Sequence, residues 1–383
     1  MSHQILARAV VTVAVASVIS LGAVSPADAQ PESADWTPPR LSNGRPDLQG
    51  VWLSNTATPL QRPPVFSGRA FLTDEEVATL RARAERIFRN GRSAFTTPEG
   101  AFFAALNDVE TYDGASTSSS IGMVDVEITN RTSQVIDPPD GRIPALTAAA
   151  QAREAAVGTG WDFKTGPEDL NNFHRCVTTG VPRLGGNFGA GPYTFYQIVQ
   201  TSDHLAFISE AFHDVRLIAL SGHPHVPETI RQWNGDARGH WDGDTLVVET
   251  RHFNDKLDGG DYQPSHILQT GHRGTGETLT LVERFTLTDH DTIDYRFTVE
   301  DPQTYTRPYT AAIPMDRSAS DVTLFEYACH EGNYGMVNLL HAGRNDEGQA
   351  LTLAALVSQQ RKDAGHPGVR EPAVPFVPIQ EKP

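Results

Sequence analysis

The stretch Thr278–Val299, TLTLVERFTLTDHDTIDYRFTV, decides the fold class of this chain. Apolar and polar residues alternate through Thr278–Leu287 and again through Thr292–Val299, which is the pattern of strands that bury one face. Asp289–Asp291 lies between the two runs and has the polar composition of a tight turn. The stretch therefore predicts a β-hairpin.

Runs on either side of this hairpin repeat the pattern. Asp242-Gly243, a dipeptide typical of two-residue hairpin turns, separates Ala237–Trp241 from Asp244–Thr250. Short strands at turn-separated intervals of roughly 8 to 12 residues predict a mainly β protein, an antiparallel barrel or sandwich of lipocalin-like type. Further strands are expected at Thr194–Gln200, Leu205–Ala211, Tyr305–Ile313 and Val322–Cys329.

Two helices are expected before the strands. Thr73 and Glu76 form a capping-box pattern, apolar residues follow at helical spacing, and Gly91 is the expected end of the first helix. The second helix is expected over Ala148–Val157, with Thr147 at its start. The segment between them is expected to consist of loops with short extended pieces.

The 383 residues are expected to divide into four parts. Residues 1–29 have the charged start, apolar run and small-residue cleavage site of a secretory signal peptide, and the apolar run falls short of the roughly 20 residues that span a bilayer. Residues 30–190 are expected to form an extended arm and a helical and loop region packed on a core. Residues 191–345 are the expected β core, and 346–383 a proline-rich tail.

The net charge and the absence of several known motifs limit the kinds of partner and cofactor that we expect. A net charge of −16 argues against nucleic acids and anionic membranes, and favours a small molecule as substrate or ligand of a periplasmic or secreted protein. The chain lacks a P-loop, a dinucleotide-binding glycine pattern, an H-E-x-x-H motif and a G-x-S-x-G elbow. We therefore expect no nucleotide or flavin cofactor.

The chain has two cysteines, Cys176 and Cys329. In an exported protein two such thiols are expected to form a disulfide, which would tie the middle of the chain to its C-terminal part. Two separate buried thiols are the alternative.

Eight of the fourteen histidines lie between His204 and His272, among predicted strands and carboxylates. If the chain turns after Phe212, Glu210 and His213 could meet, and a histidine oriented by a carboxylate is the minimal acid–base pair. The alternative is a polar strand end at which Asp214 and Arg216 form a salt bridge.

Glu283 shares a strand face with the apolar residues Leu279, Leu281 and Phe285. A carboxylate among inward-facing apolar residues is costly unless it is paired or protonated. Glu283 is therefore a general acid or base at the floor of a pocket. The alternatives are one half of a structural ion pair with an arginine, or a strand whose face is solvated at this position.

His223 and His225 flank a proline and would project to the same side of an extended chain. Two such imidazoles can share a metal ion if His213, Glu210 or His240 supplies a third ligand. A polar turn without a metal is the favoured interpretation, so no cofactor is expected.

Two other segments carry candidate binding groups. Trp233, Arg238 and Trp241 could form a flat wall for a planar ligand, or a plain hairpin with paired charges. Tyr327, His330 and Tyr334 lie in a glycine-containing loop beside Cys329, where His330 could be catalytic and the tyrosines could bind substrate. Alternatively, His330 and Asn333 satisfy backbone groups in that turn.

Four runs of sequence stand out in the strands and the C-terminal loop: YQIVQT at Tyr196–Thr201, RQWNGD at Arg231–Asp236, GDTLVVET at Gly243–Thr250 and EYACHEGNY at Glu326–Tyr334. They resemble a large group of exported, mostly uncharacterised bacterial proteins, over about Leu41 to Arg344. Two strand segments, Val282–Phe285 and Phe297–Asp301, are also similar to lipocalin-like barrels. The resemblance implies export and implies no activity or catalytic residues.

Two functions remain open. The first is a secreted enzyme, a lyase, isomerase, cyclase or hydrolase, that performs acid–base chemistry without a redox cofactor on a small organic molecule in a barrel pocket. The second is a lipocalin-like binding protein for an apolar small molecule. A binder needs an apolar cavity, whereas an enzyme needs converging titratable groups. The many histidines and acids favour the enzyme, with Glu210, His213, Glu283 and His330 as the expected catalytic residues.

Overall fold

The computed structural model describes residues 36–54, 56–89, 98–109, 127–157, 167, 175–178, 181, 195–254, 277–319 and 321–345. Nine strands in this part of the chain form a closed β-barrel, and a tenth, β2, lies beside it. The strands are β1 (Gly50–Leu53), β2 (Val135–Asp137), β3 (Phe195–Gln200), β4 (His204–Ser209), β5 (Val215–Ala219), β6 (Asp236–Asp242), β7 (Thr245–Arg251), β8 (Thr280–Leu287), β9 (Thr292–Glu300) and β10 (Tyr309–Arg317).

The strands from β3 to β10 pair in chain order, and β1 closes the barrel because it pairs with both β3 and β10. Neighbouring strands are antiparallel except β5 and β6, which are parallel and meet at Ala219 and Arg238. β2 pairs with β10 outside the closed ring. The predicted mainly β fold with a barrel is confirmed.

Alternate residues of each strand fill the inside of the barrel. On β8, Leu281, Glu283, Phe285 and Leu287 are all buried, as their spacing predicts. Phe285 stacks on Tyr295 of β9 with 4.7 Å between the ring centroids. A barrel of this size has an interior that side chains can fill.

Four helices accompany the strands: α1 (Asp74–Arg89), α2 (Pro98–Leu106), α3 (Ala148–Val157) and α4 (Tyr334–Asn345). The capping box of α1 is confirmed, because the Thr73 N–H donates to a Glu76 carboxylate oxygen at 2.8 Å and the Glu76 N–H donates to Thr73 Oγ1 at 3.2 Å. Thr147 caps α3 with a single side-chain hydrogen bond, in which Thr147 Oγ1 accepts from the Ala150 N–H at 3.1 Å. Both predicted helices are present, and α2 and α4 were not predicted.

α1 and α2 pack together around a second apolar core. Their buried residues share it with side chains from the preceding and following loops. The members are Ala57, Phe66, Leu72, Val77, Leu80, Phe102, Ala105 and Ile128. The segment 30–190 therefore contains a helical subcore as well as connecting loops.

The barrel is not confined to residues 191–345. β1 comes from the segment expected to be an extended arm, and its Trp52 is fully buried. The Trp52 Nε1–H donates to the Leu48 carbonyl at 2.9 Å. The chain thus needs a strand from its N-terminal third to close the ring.

One predicted strand is shifted along the sequence, to Tyr309–Arg317 from Tyr305–Ile313, and another is absent. β10 starts at Tyr309 rather than Tyr305, directly after Pro308, which has no N–H for a strand ladder. Val322–Cys329 is not a strand, and Phe325 is 75% exposed. The Phe325 N–H donates to a carboxylate oxygen of Glu210 and not to the backbone of a neighbouring strand.

The expected signal peptide, Gly91 and the tail 346–383 lie outside the described residues. Within the described ranges, no helix combines the length and the apolar character that crossing a bilayer requires.

Candidate functional site

Two segments cover one end of the barrel. This end is marked by the connection between β4, which ends at Ser209, and β5, which begins at Val215. Hydrogen bonds join residues 175–178 and 321–331 to that connection. We call it the covered end.

The hydrogen bonds of the two segments reach acidic residues. Thr178 Oγ1–H donates to the Asp214 carboxylate, which also accepts from Asn234 Nδ2 at 2.9 Å. The Phe325 N–H donates to Glu210 Oε2 at 3.1 Å. Asp214 therefore anchors a covering segment, and its negative charge also contributes to the raised pKa of Arg216.

A disulfide between Cys176 and Cys329 joins the two covering segments, as predicted. Cys176 is buried, and its Sγ accepts a hydrogen bond from Asn333 Nδ2 at 3.2 Å. Asn333 Oδ1 also accepts from the Met336 N–H at 3.1 Å, so Asn333 caps α4. The backbone role proposed for Asn333 is confirmed.

An ion pair lies inside the barrel near the covered end. Arg216 Nη2 donates to Glu283 Oε2 and to Thr250 Oγ1, and the Tyr295 hydroxyl donates to Glu283 Oε1 at 2.8 Å. The side chain of Arg216 is 8% exposed and that of Glu283 is 2% exposed. Glu283 thus faces inward as predicted, and its partner is an arginine.

A cavity of about 20 Å³ adjoins this ion pair. That volume is on the order of one water molecule. Its wall contains charged and phenolic groups beside apolar ones. The lining residues are Ser54, Val181, Tyr196, Phe207, Arg216, Glu283, Tyr295 and Met315.

Two polar groups near this cavity lack partners within the described part of the chain. They are Nε of Arg216 and Oγ of Ser209, both buried. A buried donor without an acceptor costs about 1–3 kcal/mol. A bound water or a polar group of a ligand would remove that cost.

The surroundings shift the pKa values of three groups at this end. Burial lowers the pKa of Arg216, but the attraction and hydrogen bond of Glu283 outweigh it, so the net pKa is raised and the guanidinium stays charged. Burial, and then the charge of Glu283, raises the pKa of Tyr295 well above its usual value. Burial also raises the pKa of Glu210, which favours its protonated form.

The chain does turn at Phe212, where a short 3-10 helix, Ala211–His213, contains a residue with a φ of 61°. This turn breaks the strand alternation that would have put Glu210 and Arg216 on one face. Glu210 is buried at the covered end. The side chain of His213 lies outside the described residues, so the pairing of Glu210 with His213 stays a prediction.

The other expected binding residues do not converge on the cavity. Trp233 precedes β6, whereas Trp241 lies near the far end of that strand, roughly 16 Å from its first residue, Asp236, at the strand rise. Each indole is instead covered by an arginine, Arg175 at 5.7 Å and Arg45 at 6.0 Å from the ring centroids. The single wall expected from the two tryptophans is therefore not formed.

Arg238 makes local contacts in β6 and the preceding loop. It pairs with Asp236 at 2.8 Å and donates to the Pro224 carbonyl at 3.1 Å. These contacts match the alternative of a hairpin with paired charges.

The C-terminal loop places its predicted residues away from the barrel interior. His330 is exposed, and Tyr334 is 55% exposed at the start of α4. Tyr327 is half-buried and packs edge-on against Phe212, with 5.2 Å between the centroids. His330 and Glu283 therefore do not share a site, because the loop that carries His330 covers the barrel from outside.

A second polar cluster lies on the outer wall of the barrel. His225 Nδ1 is 2.8 Å from Asp236 Oδ2, and its Nε2 is 3.1 Å from Glu249 Oε1. His252 lies beside His225, with 5.6 Å between the ring centroids. Glu249 points outward because its neighbours on β7, Val248 and Thr250, are buried on the inner face.

This cluster differs from the one predicted around His223 and His225. His223 is exposed, and so is His240 on β6. The structure instead places Asp236 and His252 next to His225. The β6–β7 hairpin pairs Asp236 with Arg251, the residue before His252. Following this pairing along the predicted hairpin could have identified Asp236 and His252 as neighbours.

The comparisons with known proteins are negative: no family model, no curated protein and no solved structure matches this chain.

Proposed function

We propose that this protein is an exported enzyme that performs acid–base chemistry, without a redox cofactor, on a small organic molecule held at the covered end of the barrel. One observation carries the proposal: the buried Nε–H of Arg216 has no acceptor in the described residues and lies beside Glu283 and a cavity. A fixed cationic donor next to a carboxylate can bind a substrate oxygen and leave a base to move a proton.

The roles follow from the chemistry of these groups. Arg216 Nε–H would donate to a carbonyl or carboxylate oxygen of the substrate, which makes the C–H bond beside that carbonyl more acidic. Glu283 would remove this proton and return it at another position. The Tyr295 hydroxyl would keep its proton near neutral pH, because its pKa is raised, and would donate a hydrogen bond to Glu283 as it does in the structure. A lyase or isomerase reaction fits these steps best.

Glu210 is the second acid–base group of the proposal. It is buried at the same barrel end, and its raised pKa suits a group that gives a proton to a leaving oxygen. His213 follows it by three residues and remains the proposed partner of Glu210 in an acid–base pair.

The alternative is a lipocalin-like carrier for an apolar molecule. Small-molecule sites usually enclose roughly 300 Å³ or more and are mostly apolar. The cavity here measures about 20 Å³ and is bordered by an ion pair and two phenols. It has room for about one oxygen atom of a substrate, with the remainder directed toward the covering segments. The ion pair and the phenols around the cavity, rather than its size, favour the enzyme.

Export is part of the proposal. The Cys176–Cys329 disulfide fits an oxidising compartment such as the periplasm or the outside of the cell. The resemblance to exported bacterial proteins and the expected signal peptide support the same location.

Deuterium exchange tests the proposed chemistry even though the substrate is unidentified. The mature protein, residues 30–383, is incubated in D₂O with a panel of small keto, hydroxy and unsaturated acids, and proton NMR follows loss of C–H signals and new products. We expect protein-dependent exchange or conversion of at least one compound, reduced by about 10²-fold or more in Glu283→Gln.

Glu300→Gln is the matched control, because Glu300 is exposed at the end of β9. Its exchange should equal that of the wild type. Equal exchange by Glu283→Gln would contradict the assignment of Glu283. Compounds that bind at the covered end and are never converted would favour the carrier.

A further inference from the structure

We propose that His225, Asp236 and His252 bind one Zn²⁺ ion on the outer wall of the barrel. The site is independent of the proposed acid–base function, because it lies outside the barrel interior and shares no residue with the Arg216–Glu283 pair. The loop between β5 and β6 carries His225, β6 starts at Asp236, and His252 directly follows β7.

The three side chains are close enough to share an ion. One potential ligand atom of each lies within 4.8 Å of the other two. Ligands of a tetrahedral zinc ion lie about 2.0–2.2 Å from the metal, and therefore roughly 3.3 Å from each other. Small side-chain rotations would close the difference.

His252 supplies an independent reason to expect a ligand. Its Nδ1 is buried and has no hydrogen-bond partner in the part of the chain that the structure describes. A buried nitrogen of this kind is costly unless something binds it. A cation bound at this nitrogen would satisfy it.

The contacts of His225 match the usual support of a zinc-bound histidine. Nδ1 faces Asp236, and Nε2 lies 3.1 Å from Glu249 Oε1. When Nδ1 binds the ion, Nε2–H donates to Glu249, and a carboxylate in that position fixes the ring and its tautomer. The Val226 N–H donates to Asp236 Oδ2 at 3.1 Å and helps to hold that carboxylate.

The charges and donor atoms select the class of metal. Arg238 pairs with Asp236 at 2.8 Å, and Arg251 pairs with Glu249 at 2.9 Å. The two arginines offset the two carboxylates, so the site attracts cations by coordination rather than by excess negative charge. Two imidazoles and one carboxylate suit Zn²⁺, whereas Ca²⁺ and Mg²⁺ prefer oxygen ligands throughout.

Metal titration of the mature protein tests the site. The chelator-treated chain, residues 30–383, is titrated with Zn²⁺ by calorimetry, and Co²⁺ is added separately to record the visible bands of a tetrahedral site. We expect one equivalent of Zn²⁺ per chain and no competition from millimolar Mg²⁺ or Ca²⁺.

Variants distinguish the proposed zinc ligands from the other histidines of this region. His225→Ala and His252→Gln, which keeps a long side chain, should each weaken Zn²⁺ binding at least about tenfold and remove the Co²⁺ bands. His223→Ala and His240→Ala replace exposed histidines of the same region and should bind like the wild type. Circular dichroism confirms that each variant is folded.

The proposal is overturned by absence of stoichiometric Zn²⁺ uptake. It is also overturned if the folded His252→Gln protein binds as tightly as the wild type, or if His223→Ala loses as much affinity as His225→Ala. Loss of zinc with unchanged deuterium exchange would leave the acid–base proposal intact.

Discussion

Arg216 and Glu283 depend on each other because both are almost fully buried. Replacing Glu283 by glutamine leaves the guanidinium charge unpaired, and removal of one partner of a buried pair costs about 3–5 kcal/mol. Replacing both residues, as Arg216→Met with Glu283→Leu, removes both charges and should leave the free energy of unfolding within about 1 kcal/mol of the wild type. Urea unfolding of both variants measures this, and equal losses would argue against a coupled pair.

Asp316 is a second residue with an unusual environment. Burial, followed by the nearby carboxyl of Glu127, raises its pKa to about 7. The folded protein therefore keeps a proton that the unfolded chain releases near pH 4. The stability that this proton provides is complete below about pH 4 and is lost as the pH rises through about 7.

The free energy of unfolding between pH 4 and 8 checks this direction. The wild type should lose stability relative to Asp316→Asn as the pH rises, since asparagine cannot ionise. Parallel curves for the two proteins would show that Asp316 has an ordinary pKa.

Among the elements, those set by local sequence could be predicted and those set by ring closure could not. The β8–β9 hairpin follows from alternation and a turn, and α1 from a capping box, all within a few residues. β1 has four residues and becomes a strand only because β3 and β10 offer it two edges. Val322–Cys329 has a strand-like sequence but pairs with no strand among the described residues.

The start of α1 provides a test of local stabilisation. Thr73→Ala removes the oxygen that accepts the Glu76 N–H and should lower the free energy of unfolding by about 1 kcal/mol. Thr73→Ser keeps that oxygen and should remain near the wild type. Chemical denaturation compares the two, and equal loss in both would assign the effect to the methyl group.

The turn before β6 is tested at Gly235, which has a φ of 66°. A Cβ there would lie 2.7 Å from the Arg251 carbonyl oxygen and 2.6 Å from a Thr250 methyl. Gly235→Ala should therefore destabilise the protein by about 1 kcal/mol or more and weaken Zn²⁺ binding by displacing Asp236.

Gly243→Ala is the control for that substitution. Gly243 has a similar φ of 60° but open space around its Cβ position. Gly243→Ala introduces the backbone strain without the clash. It should therefore lower the free energy of unfolding by less than Gly235→Ala does and leave the zinc affinity unchanged. Equal effects of the two substitutions would remove the steric argument.

At the scale of the whole molecule, only part of the candidate site could be predicted from the sequence. Alternation on β8 places Glu283 inside, and the hairpin register puts Phe285 opposite Tyr295, two residue pairs away from Glu283 and on the same face. Arg216 could not be assigned, because the turn at Phe212 resets the face that β5 presents. The covering segments reach this end only through the disulfide and through contacts distant in sequence.

The central claim is that the Arg216–Glu283 pair inside the barrel performs chemistry and does not serve stability alone. The most direct measurement is deuterium exchange by the Arg216→Met/Glu283→Leu double variant, with its thermal midpoint recorded on the same sample. We predict a midpoint within a few degrees of the wild type and exchange at the level of the protein-free control. A folded double variant that exchanges as fast as the wild type would contradict the claim.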